Sequence, residues 1–208
     1  MKILALSDEV VDFIYSPQVK ERFGDVDLVV GCGDLPFYYL EFVVTLLNKP
    51  VYFVPGNHDA RNQYMADGRV TQQAEGCINL DQRIASEGNL LLAGLGGSIR
   101  YRPNSLHQYT DAEMRARILT LAPRLWFNRL RHGRFLDLLI AHSPPFEIHD
   151  GADLAHTGFQ AFLSFMKTFK PRCLLHGHAH VYRSDAVTRT KFEATEVINV
   201  YPYRVIEL

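Results

Sequence analysis

The side chains best suited to chemistry follow short apolar runs of the sequence. They are carboxylates, one amide and imidazoles, in the order Asp8, Asp34, Asn57, His142, His178 and His180. This mixture of oxygen and imidazole donors suits divalent ions such as Mn, Fe or Zn. It is not the thiolate ligand set that soft metal ions prefer. A single histidine at a strand end is usually an ordinary polar residue. Six such residues in this order, at five strand ends, instead favour a centre for two metal ions.

The loop at 55–59, Pro-Gly-Asn-His-Asp, is the densest of these polar segments. It follows the apolar run Val51 to Val54, which is bounded by prolines and predicts a short buried strand. Taken alone, the loop also fits a turn in which Asn57 and Asp59 bond to their own backbone. Its polar companions at the other strand ends favour the chemical interpretation.

The elements that must position these residues alternate between strand and helix. Strands are predicted at 2–7, 27–32 and 51–54, with helices at 16–23 and 37–48 between them. Strand, helix, strand units of this kind predict a largely parallel sheet covered on both faces. Open α/β sheets bind ligands beyond the carboxyl ends of their strands, where the polar residues lie.

The second half of the chain repeats the arrangement. Strands at 135–141 and 172–175 precede His142 and the histidine-rich segment at 176–180. A capping-box pattern opens a helix at 110–121, and a second helix is predicted to end near Gly133 with Trp126 and Leu130 on a buried face. Residues 181–208 predict antiparallel strands with turns near Thr190 and Pro202. Because the sequence shows no repeats and no linker, we expect one α/β domain over residues 1–208.

Composition limits the possible partners. The 208 residues are 47% hydrophobic and carry a formal net charge of −1, so no global basic field draws the chain to nucleic acid or to a membrane. The three cysteines form no CxxC pair or even-numbered framework. Because the N-terminal apolar run is short and ends at Asp8, we expect no signal peptide, and no apolar run approaches the ~20 residues of a membrane span. We therefore expect a cytoplasmic protein.

Five segments together resemble the calcineurin-like metallophosphoesterase superfamily. The family motifs D-x-H, G-D-x-x-D, G-N-H-D/E, a late histidine after a small residue, and G-H-x-H run along almost the whole chain in that order. Here they stand as Asp8-Glu9-Val10, Gly33-Asp34-Leu35-Pro36-Phe37, Gly56-Asn57-His58-Asp59, Ala141-His142 and Gly177-His178-Ala179-His180. The resemblance implies a four-layer α/β/β/α sandwich of two mixed sheets, with two divalent metal ions.

The same resemblance implies a role for each motif residue. Asp34 would bridge the two metals, with Asn57, His142 and His178 completing one site and Asp8 and His180 belonging to the other. His58 would face the substrate and stabilise or protonate the leaving oxygen, since an imidazole pKa lies near operating pH. Asp59 would orient His58 or cap the next turn. The chemistry implied is attack on a phosphate ester by a hydroxide that bridges the metals.

Two positions depart from the family pattern. Residue 10 is Val where the pattern has His, and residue 37 is Phe where it has an acid. Glu9, Asp12 or water would then fill the missing ligand position, unless the second ion is weakly held. Glu9 and Asp12 also fit the simpler interpretation of solvated acids in a loop.

Further residues are candidates for substrate binding. A glycine-rich turn at 94–98 is predicted to bring Arg100 near the site, where it would hold a phosphate group. His156 lies in a polar segment just after the His142 loop and is the other candidate. We expect a small phosphate ester, a phosphodiester such as a cyclic nucleotide in preference to a monoester. A scaffold protein that keeps the fold without catalysis is the alternative, and the oligomeric state stays open.

Overall fold

The computed structural model describes residues 1–64, 68–183 and 185–208. Its strands, in chain order, are β1 (Lys2–Leu6), β2 (Leu28–Cys32), β3 (Val51–Val54), β4 (Gln63–Tyr64), β5 (Val70–Thr71), β6 (Ile78–Asn79), β7 (Arg83–Glu87), β8 (Leu90–Leu95), β9 (Ser98–Ile99), β10 (Gln108–Tyr109), β11 (Leu138–Ala141), β12 (Cys173–His176), β13 (Arg189–Phe192), β14 (Thr195–Asn199) and β15 (Tyr203–Glu207). The helices are α1 (Val19–Phe23), α2 (Phe37–Leu47), α3 (Asp111–His132) and α4 (Gln160–Phe169). Within these residues, no helix is long and apolar enough to cross a bilayer.

Two mixed sheets form the centre of the molecule. The first has the strand order β15-β1-β2-β3-β6, and the second has the order β13-β14-β12-β11-β8-β7. The inner strands of both sheets are parallel, while β15, β13 and β7 pair antiparallel at or near the edges. Parallel pairing brings the carboxyl ends of these strands to a common edge in each sheet.

Three apolar clusters join four layers. Side chains of β1, β2 and β3 pack against α1 and α2 on the outer face of the first sheet. The inner faces of the two sheets share a second cluster, which includes Val30, Val54, Ile140 and Leu175. A third cluster covers the outer face of the second sheet with α3 and α4. The predicted four-layer α/β/β/α sandwich of two mixed sheets is thus confirmed.

Helix α3 differs from its prediction, which placed two helices here. It runs without interruption from Asp111 to His132, although Pro123 lies inside it. Leu121 and Leu125, on either side of the proline, are both buried. Burial of two leucines is enough to offset the cost of an internal proline, which is about 3 kcal/mol. The capping box between Thr110 and Glu113 is present as predicted.

The predicted burial of Trp126 and Leu130 is wrong. Their exposed fractions are 54% and 84%. The residues of α3 that face the core are instead Met114, Ile118, Leu121 and Leu125. Helical spacing places Trp126 and Leu130 away from that stripe, so the side of α3 opposite the core is apolar as well.

The C-terminal segment also differs in part. Thr190 lies inside β13, and the turn that was expected near it falls at residues 193–194 instead. Strand β14 pairs antiparallel with β13 but parallel with β12, so the segment is not purely antiparallel. The turn near Pro202 is confirmed, because it joins β14 to β15.

Candidate metal centre

The predicted metal ligands lie at the carboxyl ends of parallel strands from both sheets. Asp8 follows β1, Asp34 follows β2 and Asn57 follows β3, whereas His142 follows β11 and His178 follows β12. The two sheets therefore contribute oxygen ligands from one side and imidazoles from the other. Their meeting point is the candidate centre.

Asp34, His142 and His178 form its core. One potential ligand atom of each lies within 4.8 Å of the others. The Nε2 atom of His142 is 3.3 Å from Asp34 Oδ2 and 2.9 Å from the side-chain oxygen of Asn57. Asn57 therefore joins the same group, which unites the four residues predicted to contact one ion.

Backbone carbonyls fix the ring orientation of both histidines. His142 Nδ1 lies 2.8 Å from the carbonyl oxygen of Cys32, and His178 Nε2 lies 2.7 Å from that of Ala155. Since a carbonyl only accepts hydrogen bonds, each of these nitrogens must carry a hydrogen. The lone pair of each neutral ring is then on the other nitrogen. Metal-binding histidines are commonly oriented in this way by a second hydrogen bond.

Asp34 and His142 form a buried charge pair at the centre. Burial opposes a negative charge on Asp34, but the His142 ring outweighs it and holds the Asp34 pKa at about 2. Burial likewise opposes a positive charge on His142, whereas the Asp34 carboxylate raises its pKa to about 9. Burial lowers the pKa of His178 to about 4, so this ring is neutral and ready to bind a cation.

Asp8 and His180 form the second part of the centre. His180 Nε2 is 3.6 Å from Asp8 Oδ1, and only 2% of the Asp8 side chain is exposed. The other carboxylate oxygen accepts hydrogen bonds from Ser7 Oγ at 2.5 Å and from the backbone N–H of His178 at 2.9 Å. One oxygen of Asp8 is thus held by the protein, and the other faces His180.

Val10, Glu9 and Asp12, the residues at or near the position of the missing histidine, make different contacts. Val10 packs against the apolar cluster between the first sheet and its helices. Glu9 accepts a hydrogen bond from Tyr201 at 2.8 Å, and the Tyr201 ring stacks on His180 with centroids 4.5 Å apart. Asp12 is exposed in a turn. Glu9 is therefore connected to the His180 side of the centre, and no comparable contact of Asp12 is found among the described residues.

The backbone is strained at three of the candidate ligands. Asp8, Asp34 and His178 have positive φ values of 64°, 54° and 63°. Residues other than glycine rarely adopt this conformation, and it concentrates at functional sites. A Cβ at Gly177 would collide with the side chains of Ser7 and Asp8, and one at Gly56 with Asp34. The motif glycines are thus required by the close approach of the ligands.

The residues predicted to act in catalysis lie beside this cluster. His58 is exposed, and its backbone N–H donates to Asp34 Oδ1 at 2.8 Å. The Asp59 carboxylate accepts from the backbone N–H groups of Gly56 at 2.7 Å and Asp34 at 3.1 Å. Burial raises the pKa of Asp59 to about 7. Asp59 thus ties two ligand loops together, and its orientation of His58 stays a prediction.

The two candidates for substrate binding lie in different settings. The His156 ring is 5.2 Å from that of His178, and its Nδ1 is 2.8 Å from Asp153. Arg100 donates to the carbonyl of Gln108 at 3.1 Å and pairs with Glu113 at 2.8 Å. His156 therefore borders the centre, whereas the contacts of Arg100 tie β9 and β10 to the start of α3.

Tyr101 belongs to the centre but was not predicted there. Its hydroxyl accepts a hydrogen bond from Asn57 Nδ2 at 3.1 Å. No sequence pattern around a loop tyrosine predicts such a contact. The only sequence signal was its position between Arg100 and Arg102, in the turn expected to approach the site.

This donor set fits divalent metal ions. Carboxylate oxygens, an amide oxygen and imidazole nitrogens converge from five loops, and the second hydrogen bonds of the His142 and His178 rings are already made. The fold and the centre together define a metallophosphoesterase-like protein. The sequence pattern of the calcineurin-like phosphoesterase family matches residues 1–182, and the chain belongs to this family.

Two known proteins extend the comparison. An uncharacterized protein of Methanocaldococcus jannaschii, MJ1162, is 24% identical over 212 residues, which cover 97% of this chain and 88% of that protein. The crystal structure of TT1561 from Thermus thermophilus superposes with a TM-score of 0.63 at 16% identity, covering 96% of this chain and 88% of the other. At this identity the structural likeness supports the fold alone.

Proposed function

We propose that this protein is a divalent-metal-dependent phosphoesterase that hydrolyses small phosphodiesters. The observation that carries the proposal is the convergence of Asp34, His142 and His178, with ligand atoms within 4.8 Å of one another. Membership of the calcineurin-like phosphoesterase family supports phosphoester hydrolysis in general. The preference for diesters, the native metal and a cytoplasmic location are part of the proposal.

The residues that would hold the metals follow from the geometry. Asp34, Asn57, His142 and His178 would hold one Mn, Fe or Zn ion, and Asp8 and His180 would hold a second that shares Asp34. Glu9 is the better-placed substitute for the histidine absent at position 10, because Tyr201 connects it to His180. Divalent ions in such a centre supply charge stabilisation for phosphoryl oxygens and a more acidic water.

His58 is assigned the role of proton donor to the leaving group. Its backbone is anchored to Asp34, and its side chain is exposed at the edge of the centre. An imidazole in this position can donate a proton to the oxygen that leaves phosphorus. One histidine in this role is sufficient for a phosphodiester, whose hydrolysis breaks one P–O bond, and it would serve a monoester equally.

A cavity beside the centre could receive the organic part of the ester. It measures about 640 Å³ and is lined by His156, His180, Tyr182 and Arg183 among others. Cavities of several hundred Å³ hold small organic ligands. Substrates the size of a cyclic nucleotide therefore fit the space next to the proposed metals.

The test is hydrolysis of bis-p-nitrophenyl phosphate beside p-nitrophenyl phosphate, with metal-stripped protein and with added Mn²⁺. We expect metal-dependent cleavage with the diester preferred. Preferential cleavage of the monoester would keep the family activity and reject the diester assignment. If several divalent metals restored cleavage of neither ester, the enzyme proposal would fail.

Val10 gives a specific reason to keep one other candidate. The family pattern has a metal-binding histidine there, so a non-catalytic scaffold with this fold would be consistent with that change. A scaffold should show no turnover in the same assay even when its metal binding is measurable. The retention of all the other motif ligands favours the enzyme.

A further inference from the structure

Helix α3 carries two apolar stripes. Met114, Ile118, Leu121 and Leu125 are buried against the second sheet. Leu119, Trp126, Phe127 and Leu130 have exposed fractions of 69%, 54%, 60% and 84%. Because an α-helix has about 3.6 residues per turn, the second set lies roughly opposite the first. The four side chains form a largely exposed apolar stripe that runs roughly 16 Å along the helix. Within it, the Trp126 ring contacts Phe135 edge-on, with centroids 4.9 Å apart.

Positive charges flank this stripe. Arg124, Arg129 and Arg131 are exposed on α3, and Arg124 and Arg131 form no ion pair within the described part of the chain. The sequence from 114 to 136 contains six arginines and no acidic residue. Three of the six form ion pairs with acids outside this stretch: Arg115, Arg117 and Arg134. We call Leu119, Trp126, Phe127 and Leu130, with these three arginines, the outer face of α3.

The charge continues onto the neighbouring helix. Arg129 lines one cavity together with Lys170 at the end of α4. Arg134 lines it too, but its charge is paired with Asp137 at 2.8 Å. The formal net charge of the whole chain is only −1, because acids elsewhere balance this region. The positive charge of the outer face is therefore local, and the net charge of the whole chain does not reveal it.

We propose that the outer face of α3 binds the surface of membranes that contain anionic phospholipids. Helices that lie in the plane of a bilayer surface combine Trp, Phe and Leu on one face with flanking basic residues. The apolar side chains enter the boundary between head groups and acyl chains. The long arginine side chains reach outward to the lipid phosphates.

Charge argues against a second copy of this chain as the occupant. Two copies that packed through this face would bring Arg124, Arg129 and Arg131 close to their equivalents. No acid follows Glu113 on the helix to neutralise them. Asp111 and Glu113 are already engaged with Arg115 and Arg100 of the same chain. Anionic lipid provides the neutralising charge that a second copy lacks.

The protein contains one tryptophan, Trp126, so its fluorescence reports directly on this face. The full chain is sedimented with vesicles of phosphatidylcholine alone and with vesicles that also contain phosphatidylglycerol. We expect sedimentation and a blue shift of the Trp126 emission only with phosphatidylglycerol. Added salt should weaken the binding, since exposed charges are screened.

Paired variants locate the interaction. Replacement of both Arg124→Gln and Arg131→Gln should weaken vesicle binding roughly 25-fold, at about fivefold for each arginine. Phe127→Ser with Leu130→Ser should weaken it as well. The matched controls are Lys20→Gln on α1 and Val205→Ser on β15, both exposed in the other half of the sandwich. These should bind as the unaltered protein does.

Three results would overturn the proposal. Wild-type protein that stays in the supernatant with anionic vesicles would do so, as would controls that lose binding as strongly as the outer-face variants. A dimer in analytical ultracentrifugation that Leu130→Ser dissociates would assign the face to a second copy instead. Circular dichroism of each variant confirms that it is folded before binding is compared.

Discussion

The Tyr101 hydroxyl accepts a hydrogen bond from the side-chain N–H of Asn57, at 3.1 Å. The amide oxygen of Asn57 consequently points the other way, to within 2.9 Å of His142 Nε2. An amide has one end that binds metal and one that does not, so its orientation decides whether Asn57 can act as a ligand. Tyr101 is thus placed to position Asn57 without contacting the metal itself.

Tyr101→Phe should weaken Mn²⁺ binding about tenfold or more, as is usual when a partner of a metal ligand is removed. Isothermal titration calorimetry on metal-stripped protein measures this independently of turnover. Tyr109→Phe on β10 is the matched control, because no hydrogen bond of its hydroxyl is found among the described residues. In an Asn57→Asp background the loss should shrink, since either carboxylate oxygen can face the ion. An equal loss in both backgrounds would mean that Tyr101 acts elsewhere.

His58→Ala should abolish most turnover and spare the metals. General acid catalysis typically contributes about 10²–10⁴-fold to a rate, and His58 is not among the proposed ligands. The loss should be larger for a diester with an alkyl leaving group than for one that releases nitrophenolate, which needs little protonation. Metal content by mass spectrometry and the exposed His132→Ala variant serve as controls. Loss of bound metal in His58→Ala would contradict the assigned role.

Gly177→Ala should damage the Asp8 side of the centre. A methyl group there would collide with the side chains of Ser7 and Asp8, so at least one of them must shift. We expect weaker binding of the second ion with little change in the first, resolved by titration with Mn²⁺ followed by electron paramagnetic resonance. Ser7→Ala removes a single hydrogen bond to Asp8 and should have a smaller effect. Unaltered binding of both ions in Gly177→Ala would contradict the expected disturbance of the Asp8 side.

Metal binding should release a proton and strengthen as pH rises. In the metal-free protein, burial lowers the pKa of His142, but Asp34 outweighs this and raises it to about 9. The ring is therefore protonated at neutral pH and must lose that proton to bind an ion. The apparent affinity should fall about tenfold for each pH unit below 9 while this proton alone competes. Calorimetry in buffers of different ionisation enthalpy counts the proton, and a heat that is independent of buffer would contradict the prediction.

Much of the fold and most of the centre could be predicted because they follow from local patterns. Residues at strand ends, such as Asp34 and His142, can be recognised because a polar residue follows an apolar run. Tyr101 and Asn57 are 44 residues apart, and their contact depends on how the β9–β10 segment folds over the centre. The outer face of α3 was missed for another reason. Helix α3 has two apolar stripes, so the periodicity of the sequence could not tell which stripe faces the core.

The ligand position left open by Val10 leads to the last prediction. Glu9 and Asp12 are equivalent in sequence, since both are acids close to Asp8. The structure separates them, because Glu9 is bound by Tyr201, a residue 192 positions away whose ring stacks on His180. We therefore expect Glu9→Ala to weaken binding of the second ion and Asp12→Ala to leave it unchanged. Tyr201→Phe keeps the stacked ring but removes the hydrogen bond at 2.8 Å, so it should produce a smaller loss than Glu9→Ala. Metal titration of the three variants checks this order. If Glu9→Ala bound both ions as tightly as the unaltered protein, water would be the remaining candidate for the open position.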